Sequence, residues 1–120
     1  MKTANKEPVA TANIFDSIPA SSRDEVFDLL VNNDNVTIER IVSNGHRSPE
    51  SGWHKQDKDE WVLVVKGEAA ILFEDGRLLS LIAGSHLSIP AGSKHKVTWT
   101  TQTTETIWIA VHYPVIEQPE

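Results

Sequence analysis

His54-Lys55-Gln56-Asp57-Lys58-Asp59-Glu60, followed after six residues by Gly67, and Gly84 followed by Pro90-Ala91-Gly92 and His95, together decide how this chain folds. Residues i and i+2 of a strand share a face, so His54 and Gln56 can point into one cavity. Glu60 does not join them on a straight strand, because six residues at roughly 3.3 Å each carry it about 20 Å from His54. Metal–ligand bonds are only about 2.0–2.2 Å long. The polar Asp57-Lys58-Asp59 must therefore turn the chain if Glu60 is to share a site, and its composition suits a turn.

Outward from this stretch the chain reads as short strands separated by turn residues. Trp61–Val65 and Ala69–Glu74 flank Lys66-Gly67-Glu68. Asp75-Gly76, between Ala69–Glu74 and Arg77–Ile82, is the strongest hairpin signal in the sequence. Ala83-Gly84-Ser85 and Pro90-Ala91-Gly92 mark two more reversals, and Lys94–Thr101 and Glu105–Tyr113 close the series. Upstream, Val36–Ser43 alternates Val36, Ile38 and Arg40 against Thr37, Glu39 and Ile41, and Asn44-Gly45 ends it in a turn. Such spacing predicts a sandwich or barrel. Before it, Ser22-Arg23-Asp24-Glu25 has capping-box spacing, and Val26, Phe27, Leu29, Leu30 and Val31 give the apolar side of one short helix. Residues 1–13 are small and polar and are expected to be flexible, leaving one domain over residues 14–120 with its barrel core at about 36–113.

The composition excludes several classes of function. Seventeen acidic against eleven basic residues leave a formal charge of −6, which opposes nucleic acid and anionic membranes. No cysteine is present, so disulfides, thiolate metal sites and cysteine nucleophiles are ruled out. The first twenty residues lack the apolar core of a signal peptide, and no apolar run approaches a membrane span. A soluble cytoplasmic protein is the expectation.

His54-x-Gln56-x-x-x-Glu60 with Gly67 resembles the first motif of the cupins, with glutamine at the second histidine position. Gly84, Pro90-x-Gly92-x-x-His95 resembles the second, except that Trp99 stands where an asparagine is often found. The motifs span residues 54–95. The resemblance implies an all-β cupin fold, a double-stranded β-helix or jelly-roll barrel, here preceded by the one short N-terminal helix.

In such a barrel His54, Gln56, Glu60 and His95 converge from separate strands as a metal-ligand set. Two imidazoles, a carboxylate and an amide oxygen suit a divalent first-row ion such as Fe, Mn, Zn or Ni. Gln56 either ligates directly or hydrogen-bonds a bound water or substrate oxygen. One carboxylate on a divalent ion leaves a charge near +1, which favours an anionic or enediol-like ligand binding through oxygen. The expected function is metal-dependent chemistry on a small oxygenated metabolite, of dioxygenase, isomerase or lyase type. The alternatives are a non-catalytic module holding a sugar or organic acid, and a metal-independent, epimerase-like enzyme.

The remaining candidates are read as follows. His46 after a turn is expected in solvent, and His86 has no partner in the pattern. His112 is either an inward acid–base group or, in the favoured reading, a core histidine bonded to backbone. Arg40 either enters the cavity to hold a carboxylate or phosphate, or pairs with an acid on the outer face. Lys94 and Lys96 flank His95 and are expected to point the other way, to solvent. Trp53, Trp61, Trp99 and Trp108 read as core or interface residues. Trp61–Val65 and Ile107–Val111 are apolar on both faces, so a second subunit about a two-fold axis, a homodimer, is expected to cover one of them.

Overall fold

A computed structural model describes residues 9–20 and 24–115 of the chain. Eight strands follow one another: β1 (Val26–Asn32), β2 (Thr37–Ser43), β3 (Asp59–Lys66), β4 (Ala69–Phe73), β5 (Leu78–Leu81), β6 (His86–Ile89), β7 (His95–Thr100) and β8 (Thr106–Tyr113). They form a five-stranded sheet in the order β1-β2-β8-β3-β6 and a three-stranded sheet in the order β5-β4-β7. Every pairing between these strands is antiparallel. The expected sandwich-like barrel is therefore present.

The core lies between the sheets. Val62, Val64, Ile71, Phe73, Leu81, Ile89 and Trp108 are its large buried members. The period-two pattern produces it: Glu60, Val62 and Val64 of β3 are buried while Trp61 and Leu63 between them are only half-buried. At the predicted Asp75-Gly76 turn Gly76 takes φ 95°, and the Phe73 amide donates to the Arg77 carbonyl at 2.9 Å. Gly67 has a stricter role. It takes φ 92°, and a Cβ built there would stand 2.5 Å from Thr106 Oγ1 and 2.7 Å from Thr106 Cα. The β3–β4 turn thus passes directly against the start of β8.

The short helix expected before the barrel is corrected. Val26–Asn32 is strand β1, paired with β2 in the register Val26↔Val42 and Phe27↔Ile41. No helix occurs among the described residues, and Ser22 and Arg23, the start of the expected capping box, lie outside them. Val26-Phe27-Asp28-Leu29-Leu30-Val31 fits either period, and β-branched and aromatic side chains favour extension once an open sheet edge is on offer. Of the expected flexible segment 1–13, residues 1–8 lie outside the described residues.

Arg40 fastens the chain before β1 to the sheet. Its Nε and Nη2 donate to Asp28 Oδ2 at 2.9 and 2.7 Å, and its Nη1 donates to the carbonyls of Ile14 at 3.0 Å and Asp16 at 2.5 Å. Of the two readings of Arg40, the acid-paired one is what the structure shows. No helix among the described residues is long and apolar enough to cross a membrane.

Candidate functional site

A cavity of about 410 Å³ opens between the sheets. Two stitches shape the wall that carries the sequence motifs. His54 and His95 form an isolated β-bridge, with His54 N donating to His95 O at 2.8 Å and His95 N to His54 O at 3.1 Å. The Gly92 amide donates to the Gln56 carbonyl at 2.8 Å, and the Ala91 amide to Asp59 Oδ1 at 2.8 Å. The turn after Pro90 therefore clamps the bend at residues 57–58, and that bend lets Glu60 enter the site from β3.

All four motif side chains reach this cavity. The His54 and His95 rings lie 5.2 Å apart at 79°. His95 is 6% exposed, and its Nδ1 donates to the Ser93 carbonyl at 3.0 Å, which leaves Nε2 facing Glu60 Oε1 at 3.8 Å. His54 is exposed at the mouth. Glu60 is 8% exposed and occupied on both oxygens. The Gln56 amide donates to Oε1 at 2.9 Å, and His112 Nε2 lies 3.3 Å from Oε2.

Of the two readings of His112, the inward-facing one is what the structure shows. It is no backbone-bonded core histidine: it lines the cavity between two carboxylates, with Nδ1 3.6 Å from Glu39 Oε1. Burial pushes the Glu60 carboxyl up, but the His112 hydrogen bond and charge, the Gln56 amide and the nearby His95 together hold it below its ordinary value. The Glu60 hydrogen bond raises the His112 imidazole above its ordinary value, against the opposing effect of burial.

Whether these residues suit a metal ion has two answers. The donor types suit one, and so does His95, because a ligating imidazole commonly donates its second nitrogen to a backbone carbonyl. Yet no group of three or more His, Cys, Asp or Glu side chains among the described residues is disposed to hold an ion. An ion here would compete with His112 and Gln56 for the Glu60 carboxylate.

Other candidates sort out plainly. Lys96 borders the cavity, and its ammonium lies on the exposed side, 4.6 Å from the Trp53 ring centroid and donating to the Glu50 carbonyl at 2.8 Å. Lys94 pairs with Glu74 at 3.4 Å. The His46 ring accepts the Asn44 amide at 2.8 Å within its turn, and the exposed His86 lies 5.6 Å from the Trp61 ring. Trp108 is core, donating to Ser43 Oγ at 3.2 Å, whereas Trp53 and Trp99 are exposed. Glu25 and Glu39 also line the cavity. That Glu39 shares the strand face of Ile41 was a readable signal for the second, while the helix reading of residues 22–31 concealed the first.

Comparison with known proteins gives a match between residues 39–112 and the model of the cupin domain. Among solved structures the chain is similar to a candidate mannose-6-phosphate isomerase from Ralstonia eutropha JMP134. The two are 37% identical over 89% of this chain and 100% of that one, with a TM-score of 0.86. It is also similar to a cupin superfamily protein from Desulfitobacterium hafniense DCB-2 (19% identity, 90% and 94% coverage, TM-score 0.72). A conserved protein of unknown function from Streptococcus pyogenes is a further likeness (17% identity, 92% coverage of both chains, TM-score 0.71). The last two speak to the fold alone. No curated protein matches the chain.

Proposed function

The chain belongs to the cupin domain family, and we propose that its cavity binds a small oxygenated metabolite and isomerises it by proton transfer beside a divalent first-row metal ion. The observation that carries this reading is the buried Glu60 carboxylate, set between His95, His112 and Gln56 on the wall of a 410 Å³ cavity. A buried carboxylate and an imidazole 3.3 Å apart can take a proton from one carbon of a bound substrate and return it to the next. Proton removal and return at adjacent carbons, with a proton passing from the hydroxyl oxygen of one to the carbonyl oxygen of the other, interconverts aldoses and ketoses, which agrees with the 37% identical relative being a candidate mannose-6-phosphate isomerase.

The residues that would hold the ion are His54, Gln56, Glu60 and His95. When bound, it would supply Lewis-acid polarisation of a substrate oxygen. Gln56 as placed donates to Glu60, so its first task is to fix that carboxylate.

A second reading dispenses with the ion and is favoured by the same Glu60–His112 contact, which is complete in the protein alone. One experiment separates the two. Protein purified without chelator is assayed for metal, then incubated in D2O with aldoses, ketoses and small keto acids while proton NMR follows C–H exchange next to the carbonyl. The first reading expects about one divalent ion per chain, lost in His54→Ala or His95→Ala, with exchange that stops on chelation. Exchange that survives chelation and dies in His112→Ala establishes the metal-independent reading. Tight binding with no exchange makes the cavity a non-catalytic binding module and refutes both.

We further infer a cytoplasmic homodimer. Edge strand β1 exposes Phe27, Leu29, Leu30 and Val31 (43–57%). Its one charge, Asp28, is bound by Arg40. A second copy pairing about a two-fold axis therefore gives each edge a partner without opposing like charges. Sedimentation should give twice the chain mass, falling to the chain mass in Leu29→Lys.

A further inference from the structure

The cavity wall is more acidic than the motif residues alone would make it. Glu25 and Glu39 stand on it with Glu60, and Lys96 is its only lysine or arginine among the described residues. The Lys96 ammonium is already engaged by the Glu50 carbonyl and the Trp53 ring. Arg40, which could have met an anion here, is turned to Asp28 and to backbone carbonyls. Three carboxylates against one ammonium give the wall an excess of two acidic side chains before any imidazole is counted. A divalent ion would only cancel them, so the net positive site expected from one carboxylate is not formed.

We propose that the substrate is an uncharged, hydroxyl-rich molecule, an unphosphorylated aldose or ketose, rather than a phosphate ester or a carboxylate. This rests on the isomerase reading above and departs from the sugar phosphate named for the 37% identical relative. Phosphate is recognised by guanidinium and ammonium groups or by amides at a helix N-terminus. The described wall offers one engaged lysine, and no helix occurs among the described residues. Glu25 and Glu39 act the other way: as carboxylates they only accept hydrogen bonds, and sugar hydroxyls supply the donors that a phosphate dianion lacks. Phe27, on the same wall, offers an apolar surface to the C–H face of a sugar ring.

The test is calorimetric titration of the full-length protein at pH 7.5 and low salt with matched pairs: mannose against mannose 6-phosphate and fructose against fructose 6-phosphate. Deuterium exchange is followed on the same four compounds. Like charges facing one another in a partly desolvated cavity should make each phosphate ester bind on the order of tenfold more weakly than its parent sugar. Glu39→Gln and Glu25→Gln should narrow that gap, and the wild-type comparison decides whether or not the variants fold. A phosphate ester that binds as tightly as its sugar, or more tightly, overturns the substrate class and leaves the isomerase reading standing. No binding and no exchange with any of the four overturns the isomerase reading and the substrate class with it.

Discussion

Gly67→Ala and Gly76→Ala add the same methyl group to two turns of nearly equal backbone, φ 92° and 95°. At Gly76 nothing lies within 4 Å of the added Cβ, so the cost is that of a non-glycine residue held at positive φ, about 1–3 kcal/mol. At Gly67 the same atom would stand 2.5 Å from Thr106 Oγ1, 2.7 Å from Thr106 Cα and 2.9 Å from the Glu105 carbonyl oxygen. Two of those atoms are backbone and cannot rotate away. The β3–β4 turn and the start of β8 must separate, adding an overpacking cost of about 1–3 kcal/mol. Gly67→Ala should therefore destabilise by about 2–6 kcal/mol in all, and by at least about 1 kcal/mol more than Gly76→Ala. Urea unfolding followed by tryptophan fluorescence reads this as two midpoint shifts at unchanged slope. Because β8 also carries His112, the displacement should reach the Glu60–His112 contact, and the Gly67→Ala protein should lose ligand binding before it unfolds. Equal midpoints for the two variants would refute the close approach of turn and strand.

Other outcomes follow from particular contacts. Ile71 is 2% exposed at the floor of the cavity, so Ile71→Ala should cost about 2–5 kcal/mol in urea unfolding, and a loss below about 1 kcal/mol would mean that the two sheets are not packed there. Arg40→Met removes the partner of Asp28 and of the carbonyls before β1. It should cost about 2–4 kcal/mol and speed amide exchange across residues 13–17, and unchanged exchange there would show that Arg40 is no anchor. Lys66, 2.7 Å from Glu105, holds that carboxyl below its ordinary 4.5. A carboxyl depressed in the folded state stabilises above its unfolded pKa, and the contribution is lost as the pH falls through the folded value. Lys66→Met should thus lower stability at pH 7, by under about 1 kcal/mol because both side chains are partly exposed. An equal loss at pH 2, measured by thermal unfolding, would contradict the pairing.

The barrel was legible because its turns announce themselves. Asp75-Gly76 closes the β4–β5 hairpin, and Gly67 and the Pro90-Ala91-Gly92 turn stand where the chain needs a left-handed residue or a clamp. Strands β2 to β8 fall within a few residues of the spans that alternation predicts. Strand β1 was not legible. Its apolar run satisfies two periods at once, and the deciding force is the free edge of β2, supplied from 5 to 16 residues further along the chain. The i, i+2 rule paired only His54 with Gln56; Glu60 and His95 were legible as their neighbours through the resemblance to the cupin motifs. Their partners were not, since Glu60 meets His112 through a strand pairing that spans 52 positions, Glu60↔His112.

By itself, then, the sequence determined a chain of short strands and the places where it turns, and through its likeness to the cupin motifs it singled out His54, Gln56, Glu60 and His95. The strands and turns are consequences of local backbone preference and side-chain period, which act over a few residues. Only the tertiary structure decided that Glu60 is held by His112 and Gln56, that Arg40 faces away, and that Glu25 and Glu39 make the cavity acidic. Those outcomes depend on which strands lie side by side, and burial then sets how strongly their charges are felt.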